Sequence, residues 1–188
     1  MRIGIFGGSF NPVHEGHLKL AREAMSELNL DRVVFVPSCR SPLKAGQDLL
    51  PEALRIALLK KAIRGIPGFG LWLCEIRRKG LSYTVDTLKV FKKRFGSRAT
   101  LYFLAGADVS RDLRRWKSFP EILKLCRFVV MTRPGYRPSR LPKGVLSMPM
   151  EALDVSSTGV RSRLRRGRAI EGLVPRGTAP LLRRYYNA

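Results

Sequence analysis

The two histidines of this chain, His14 and His17, lie three residues apart in one short loop. The loop spans residues 7–17, GGSFNPVHEGH, so glycine, proline and asparagine surround the imidazoles. An imidazole can donate a hydrogen bond to a phosphate oxygen and can stabilise charge that develops there during a reaction. Because both histidines of the chain lie in a single glycine-rich loop, the sequence predicts a phosphate-binding site there.

The histidine loop is expected to join a strand to a helix. An apolar run at residues 3–6 precedes the loop, and apolar residues from Leu18 to Leu28 follow it at helical spacing. A second apolar run at residues 33–36 completes the pattern of a βαβ unit. The loop then lies at the carboxyl end of the first strand, where backbone N–H groups and the helix dipole favour phosphate.

Two other kinds of site and one structural role compete for this loop. A dinucleotide-binding turn would carry Gly-x-Gly-x-x-Gly and an acidic residue after the second strand, but Pro37 and Ser38 stand there. A zinc site would need further ligands, and the three cysteines of the chain are far apart in sequence. The structural alternative, in which His14 and His17 only cap and pack the turn, stays open on the residues alone.

Strand-like and helix-like segments alternate along the whole chain. This alternation predicts an α/β fold: a Rossmann-like, doubly wound, mostly parallel sheet with a small C-terminal helical segment. At 188 residues the chain suits a single domain, residues 1–188. The predicted strands lie at residues 3–6, 33–36, 71–75, 101–105, 127–131 and 145–148, and the predicted helices at 17–28, 52–63, 84–95, 158–166 and 178–186.

The chain is strongly basic, with 36 Lys and Arg against 14 Asp and Glu and a net charge of +22. The basic residues are scattered along the sequence, which is typical of a solvated surface, so no specific nucleic-acid partner is expected. A basic protein that binds nucleic acid through counterion release is an alternative function of a different class.

Apolar runs and cysteines bear on the location of the protein. The longest apolar runs are well short of the roughly 20 residues that span a bilayer, so no membrane partner is expected. The first residues enter a strand directly, which predicts no signal peptide. Three scattered cysteines favour a reducing compartment, and we expect a cytoplasmic protein that could form a homo-oligomer.

Residues 8–17 resemble the Gly-x-Phe-x-Pro-x-His-x-Gly-His signature of the nucleotidyltransferase superfamily, and every fixed position matches. The resemblance implies transfer of an adenylyl or cytidylyl group to a phosphate-bearing acceptor, with release of pyrophosphate. Such a transfer needs positioned donors rather than a protein nucleophile. The resemblance implies catalytic roles for His14 and His17, and contacts to ATP from Gly7, Gly8, Ser9, Phe10, His14 and His17.

A second phosphate motif lies at residues 154–161, DVSSTGVR. It resembles the Ser-Ser-Thr-x-x-Arg element that closes the active site in adenylyltransferases of the same superfamily. The resemblance implies that hydroxyls, helix N–H groups and a guanidinium hold the β- and γ-phosphates of ATP. On the residues alone, the same string is also an ordinary helix cap. The implied ATP contacts are Ser156, Ser157, Thr158 and Arg161, the last with a catalytic role.

Residues 75–88, EIRRKGLSYTVDTL, closely resemble the Glu-x-x-Arg-x-Gly-x-Ser-Tyr-Thr-x-Asp-Thr-Leu element of bacterial nicotinate-mononucleotide adenylyltransferases. The resemblance implies that a helix N-terminus at Tyr83 and Thr84 offers N–H groups to the nicotinate carboxylate of the acceptor. On the residues alone, the element is interpreted as a strand end, a turn at Gly80 and a helix cap.

Single residues elsewhere match the same family. Gly106 and Asp108 follow a predicted strand and are implied to bind ATP, with Asp108 suited to ribose hydroxyls. Trp116 is implied to stack on the pyridine ring of the acceptor. Lys44 is implied to contact the acceptor's phosphate, although Leu43 stands where the family usually has a histidine. Arg133 is implied to lie near the adenine and phosphates of ATP.

The resemblance covers effectively the whole chain and implies one reaction. ATP and nicotinate mononucleotide would be the partners, and nicotinate adenine dinucleotide and pyrophosphate the products, in NAD synthesis. Mg²⁺ would be carried mainly by the ATP phosphates, because no carboxylate cluster is evident that would bind it. The alternative enzyme is a phosphopantetheine adenylyltransferase, which shares the first motif but lacks the element at residues 75–88.

Overall fold

The computed structural model describes residues 1–42, 48–107, 113, 115–132, 141–151 and 153–187. Its strands are β1 (Arg2–Gly8), β2 (Arg32–Pro37), β3 (Phe69–Leu71), β4 (Thr100–Gly106), β5 (Arg127–Thr132) and β6 (Val145–Pro149). They form one sheet in the order β3-β2-β1-β4-β5-β6, and each neighbouring pair is parallel. This confirms the predicted Rossmann-like α/β sheet.

Helices connect the strands and extend beyond the sheet. The α-helices of the described residues are α1 (Glu15–Glu27), α2 (Glu52–Ile63), α3 (Cys74–Arg78), α4 (Thr84–Phe95), α5 (Phe119–Leu125), α6 (Ser157–Arg165) and α7 (Ala179–Tyr186). None of them is long and apolar enough to cross a membrane.

Helices cover both faces at the centre of the sheet, and successive side chains of a strand point to opposite faces, so each face has its own core. Ile3 and Ile5 of β1 belong to a core that α4 and α5 complete. Phe6 of the same strand belongs to a second core, to which α1, α2, α6 and α7 contribute. The predicted C-terminal helical segment is therefore part of the core on one face.

The structure differs from the sequence expectation at residues 71–75. The strand β3 is only three residues long, and Cys74–Arg78 forms a helix where the strand was expected to continue. A short apolar run does not distinguish an edge strand from a buried helical turn. Trp72 leaves the strand and packs against Phe91 and Phe95 of α4, with ring centroids 4.4 and 6.2 Å away.

Helix α5 is the second difference, since sequence periodicity does not predict it. It is seven residues long with a proline in its first turn, which is too short to show a helical pattern. The other predicted elements are present, and their ends agree with the structure to within two residues.

Arg55 of α2 ties the loops of two neighbouring strands together. Its side chain is 2% exposed and donates hydrogen bonds to the carbonyl oxygens of Ser9, Ser38 and Leu50, at 2.8, 2.9 and 3.2 Å. Ser9 follows β1 and Ser38 follows β2. Burial lowers the pKa of this guanidinium below its ordinary value, because desolvation disfavours the charged form.

Asn11 makes a second tie at the same place. Its Oδ1 accepts a hydrogen bond from the Leu50 N–H at 2.8 Å, and its Nδ2 donates to the Asp48 carbonyl at 2.9 Å. Asn11 is 2% exposed, and its bond with Leu50 is buried, whereas its bond with the exposed residue Asp48 is partly buried. Together, Arg55 and Asn11 hold the segment before α2 against the histidine loop.

Replacing Arg55 with methionine should lower the free energy of unfolding by about 1–3 kcal/mol. Three carbonyl oxygens lose a charged donor, and the removal of one buried charge offsets only part of that loss. Urea unfolding followed by circular dichroism measures the change. The matched control is Arg64→Met at the exposed end of the same helix, expected to change stability by less than about 0.5 kcal/mol. Equal losses in the two variants would show that these hydrogen bonds do not stabilise the fold.

Candidate active site

A cavity of about 890 Å³ opens at the carboxyl ends of β1 and β4. These strands flank the point where the strand order reverses, which is where α/β sheets leave a crevice. Three of the predicted site residues, Lys44, Asp108 and Arg133, lie outside the residues that the structure describes, as does Leu43. All the other predicted residues line the cavity: Gly7, Gly8, Ser9, Phe10, His14, His17, Tyr83, Thr84, Gly106, Trp116, Ser156, Ser157, Thr158 and Arg161.

His14 and His17 lie ring against ring at the start of α1, with centroids 3.6 Å apart. The His14 N–H donates to Nδ1 of His17 at 3.1 Å, and the His17 N–H donates to the His14 carbonyl at 2.9 Å. Because Nδ1 of His17 accepts, the neutral ring carries its proton on Nε2. The histidines therefore cap the helix, as the structural alternative expected, and line the cavity at the same time.

Gly16 and Phe10 hold the histidine pair in position. A Cβ on Gly16 would lie 3.0 Å from Val155 Cγ1 and 3.1 Å from His14 Nδ1, so a side chain there would displace the imidazole. The Phe10 ring is 1% exposed, and its centroid lies 5.1 Å from that of His17. Phe10 has a φ of +44°, a left-handed conformation that side-chain-bearing residues seldom adopt. Phe10 keeps this unfavourable backbone conformation while its ring packs against His17.

The N-terminus of α6 is bound directly to the histidine loop. Ser157 Oγ donates to the Pro12 carbonyl at 2.9 Å, and Arg161 Nη1 donates to the Asn11 carbonyl at 2.6 Å. Ser156 is the N-cap of α6 and accepts a hydrogen bond from a backbone N–H of the first turn. The motif is thus an ordinary cap, as one alternative expected, and it also brings a guanidinium and hydroxyls to the histidine loop.

Another wall of the cavity is aromatic. Tyr83 is the N-cap residue of α4, and its side chain forms no capping hydrogen bond. Thr84 is the first residue of that helix. Trp116 stands edge-on to Phe103 and Phe128, with centroids 5.9 and 5.5 Å away. Trp116 is half-buried, so one part of the indole packs in the core while the residue also lines the cavity.

Sequence reasoning assigned no role to Glu75, which the structure places in the cavity wall with 6% of its surface exposed. Thr87 Oγ1 donates to its Oε1 at 2.6 Å. Burial raises the pKa of this carboxyl above its ordinary value, and the hydrogen bonds of Thr87 and Ser82 offset part of that rise. The acidic first residue of the element at 75–88 is the one signal in the sequence, but the local pattern predicts a strand end there.

Three further cavity residues, Asn11, Ser38 and Lys117, were also missed. Asn11 and Ser38 follow β1 and β2, and a position just after a parallel strand was a signal that could have found them. Lys117 carried no such signal, because it is one of 36 basic residues. Only the folded chain distinguishes it from the other cations.

The described residues bear on two further kinds of site, a cysteine nucleophile and a metal-binding cluster. Burial raises the pKa of Cys74 to about 11 and that of Cys126 to about 12, so these side chains are neutral thiols near pH 7 rather than thiolate nucleophiles. Within the described ranges, no group of three or more His, Cys, Asp or Glu side chains could hold a metal ion.

The raised pKa of Glu75 predicts a pH-dependent contribution to stability. The contribution is fully present below the ordinary pKa of 4.5 and is lost as the pH rises through the folded-state pKa, because the unfolded chain ionises first. Glu75→Gln keeps an acceptor for Thr87 but cannot ionise, so its stability relative to the unmodified protein should increase with pH. Thermal unfolding of both proteins between about pH 4 and pH 8 measures this difference, and parallel curves would contradict it.

Comparison with known sequences places this chain among nucleotide-transferring enzymes. The cytidylyltransferase-like family model matches residues 5–163. The probable nicotinate-nucleotide adenylyltransferase of Thermoanaerobacter sp. (strain X514) is 36% identical over 196 residues, covering 98% of this chain and 93% of that protein. The protein of the same name from Clostridium botulinum (strain Eklund 17B / Type B) is 37% identical over 192 residues, covering 96% and 94%.

Solved structures share the fold. The nicotinic acid mononucleotide adenylyltransferase of Plasmodium falciparum, complexed with NaAD, has a TM-score of 0.78 at 20% identity, covering 99% of this chain and 97% of that one. A putative nicotinate-nucleotide adenylyltransferase from Vibrio parahaemolyticus has a TM-score of 0.74 at 20% identity, covering 98% and 93%. At this identity the likeness concerns the fold alone. With a family model matched over most of its length and relatives aligned nearly end to end, the chain belongs to the cytidylyltransferase-like family, alongside the nicotinate-nucleotide adenylyltransferases.

Proposed function

We propose that this chain transfers the adenylyl group of ATP to nicotinate mononucleotide, forming nicotinate adenine dinucleotide and pyrophosphate for NAD synthesis. The observation that supports this most strongly is that three elements line one cavity: the histidine loop, the N-terminus of α6, and the aromatic wall at Tyr83 and Trp116. The first two suit the phosphates of a nucleotide, and the third suits a flat ring. The names of the full-length relatives favour the same acceptor.

The proposed transfer is one in-line displacement at the α-phosphorus of ATP. A 5′-phosphate oxygen of nicotinate mononucleotide forms the new P–O bond, the bond to the β-phosphate oxygen breaks, and pyrophosphate leaves with the electron pair. The attacking oxygen is already anionic, so no general base is needed. The protein has to position two anions and stabilise the charge that spreads over the phosphate oxygens.

His14 and His17 would stabilise the phosphate that is transferred. The hydrogen bond from the His14 N–H to Nδ1 orients the His17 ring, and the His14 ring packs against it with centroids 3.6 Å apart. This arrangement exists before substrate arrives, so little reorganisation is needed during the reaction. The N-terminus of α1 adds the positive end of its dipole at the same point. Gly7, Gly8 and Ser9 would let the phosphates approach the backbone closely.

The N-terminus of α6 would hold the β- and γ-phosphates, which become the leaving pyrophosphate. Ser156, Ser157 and Thr158 supply hydroxyls and helix N–H groups, and Arg161 supplies a guanidinium. Arg161 already donates to the Asn11 carbonyl, but a guanidinium has five N–H donors and can bind a phosphate as well. We assign Arg161 a catalytic role on that ground.

The acceptor would occupy the aromatic wall. Trp116 would stack on the pyridine ring, and the N–H groups at Tyr83 and Thr84 would face the nicotinate carboxylate. For the remaining assignments the proposal depends on the sequence resemblance: Lys44 for the acceptor phosphate, and Gly106, Asp108 and Arg133 for ATP.

Mg²⁺ would accompany the ATP triphosphate. The described residues that line the cavity include one carboxylate, Glu75, and it is engaged by Thr87. A hard cation with a single protein carboxylate would keep most of its coordination from phosphate oxygens and water. The chemistry that Mg²⁺ supplies is neutralisation of phosphate charge, and the described residues fit a metal brought by the substrate better than one held by the protein.

Acceptors compared side by side test the proposal. The purified protein with ATP and Mg²⁺ should release pyrophosphate with nicotinate mononucleotide and should do so far more slowly with phosphopantetheine. Release with phosphopantetheine alone would favour the alternative enzyme. If neither acceptor gives pyrophosphate and the protein binds DNA tightly at physiological salt, the nucleic-acid alternative is favoured.

Variants of His17 and His14 test the catalytic assignment. Alanine at either position should lower kcat by about 10²–10³-fold, the range seen when one preorganised donor is lost. His17→Asn keeps an acceptor near Nδ1 for the His14 N–H and removes the donor at Nε2, so it should fold normally and still be slow. Pyrophosphate release measures kcat, and thermal unfolding reports the fold.

His17→Gln is the matched control, because its amide N–H lies near the position of Nε2. It should recover part of the activity that His17→Asn loses. Full activity in His17→Asn would show that the histidine serves the helix cap alone. Unfolding of every variant, with no folded but slow protein among them, would favour the same structural role.

A further inference from the structure

Lys117 lies where the aromatic wall meets α4. Its Nζ is 4.4 Å from the centroid of the Tyr83 ring, and both residues line the cavity. An ammonium over the face of a tyrosine ring is held by the ring's quadrupole, although the ring does not neutralise the charge. The contact therefore keeps a positive charge beside the N-cap residue of α4 and directly after Trp116 in the chain.

Among the described residues, Lys117 forms no ion pair, whereas other cations of the chain do. Lys19, Lys89, Arg165 and Arg183 each lie within 4 Å of a carboxylate oxygen. The cation–π contact is the one interaction that the structure gives Lys117 within its described ranges. Its charge is thus available to a ligand in the cavity.

The carboxylate of this part of the cavity does not cancel that charge. Glu75 is buried and accepts a short hydrogen bond from Thr87 Oγ1, and Arg78 Nη2 donates to the same hydroxyl at 3.4 Å. Arg78 thus accompanies Glu75 with an opposite charge. The exposed ammonium of Lys117 and the N–H groups at the N-terminus of α4 place positive charge at the acceptor end of the cavity, with Asp86 as the acidic residue in the first turn of that helix.

We propose that Lys117 is a specificity-determining residue, which favours an acceptor nucleotide whose pyridine ring carries a carboxylate over one that carries a carboxamide. This inference depends on the proposed function, since it concerns the acceptor of that reaction. A carboxylate attracts the ammonium and the helix N–H groups, whereas a neutral amide gains only the hydrogen bonds. A role at the acceptor's phosphate would instead affect both acceptors equally, because both carry that group.

The test compares kcat/KM for nicotinate mononucleotide and nicotinamide mononucleotide at saturating ATP. Lys117→Met keeps the length of the side chain and removes its charge. It should lower kcat/KM for the acid about tenfold, mainly through KM, and should lower that for the amide less than threefold; a tenfold change corresponds to about 1.4 kcal/mol. Lys117→Arg keeps a cation over Tyr83 and should retain most of the preference for the acid.

Lys89→Met is the matched control for net charge. Lys89 lies on the outer part of α4, pairs with Glu121 at 2.9 Å and does not line the cavity. The Lys89→Met variant loses the same unit charge as Lys117→Met. Its ratio of kcat/KM for the acid to kcat/KM for the amide should nevertheless stay at the wild-type value. A Lys117→Met ratio equal to that of Lys89→Met, or equal losses with both acceptors, would overturn the inference while leaving the proposed function intact. A wild-type protein that uses neither acceptor would overturn the proposed function, and the inference with it.

Discussion

Parallel pairing of β1 with β2 on one side and β4 on the other determines where the reactive groups lie. Gly8 is in register with Pro37, and Phe6 with Leu104, so the three strands end at the same edge of the sheet. The strand order reverses between β1 and β4, and the connections leave that edge in opposite directions. The histidine loop and the segment that carries Trp116 therefore meet in one cavity, although they are far apart in sequence.

Hydrogen bonds to loop carbonyls then hold the cavity edge in shape. Arg55 binds the loops after β1 and β2 from inside, and Arg161 binds the histidine loop from α6. In both cases the guanidinium donates hydrogen bonds to backbone carbonyl oxygens rather than to a carboxylate. A guanidinium suits this task because its five donors reach several carbonyls from one rigid plane. In the function that we propose, the same property would let Arg161 bind a phosphate while it also stabilises the fold.

The net charge of +22 bears on how anions reach this site. The proposed substrates, ATP and nicotinate mononucleotide, are both anions, and a basic protein raises the local concentration of anions near its surface. Net charge alone does not select one anion over another, however. Selection needs a charge at a defined position, such as Lys117 over Tyr83. The distinction explains why a composition that also suits nucleic acid is compatible with a small-molecule enzyme.

The sequence by itself determined the α/β class and most element boundaries, because these depend on local apolar periodicity. It also located the two motifs that line the cavity, from the residue types of a loop between a strand and a helix. It did not distinguish a helix cap from a ligand site at His14 or Ser156, since the same hydrogen-bonding groups serve both. Tertiary structure decided the rest. It converted residues 74–78 to a helix, buried Glu75 in the cavity wall and placed Lys117 against Tyr83. Each of these features depends on which segments become neighbours across the sheet. The burial of a side chain and the charge around it depend on all the residues that surround it, and the order of residues along the chain does not show which residues those are.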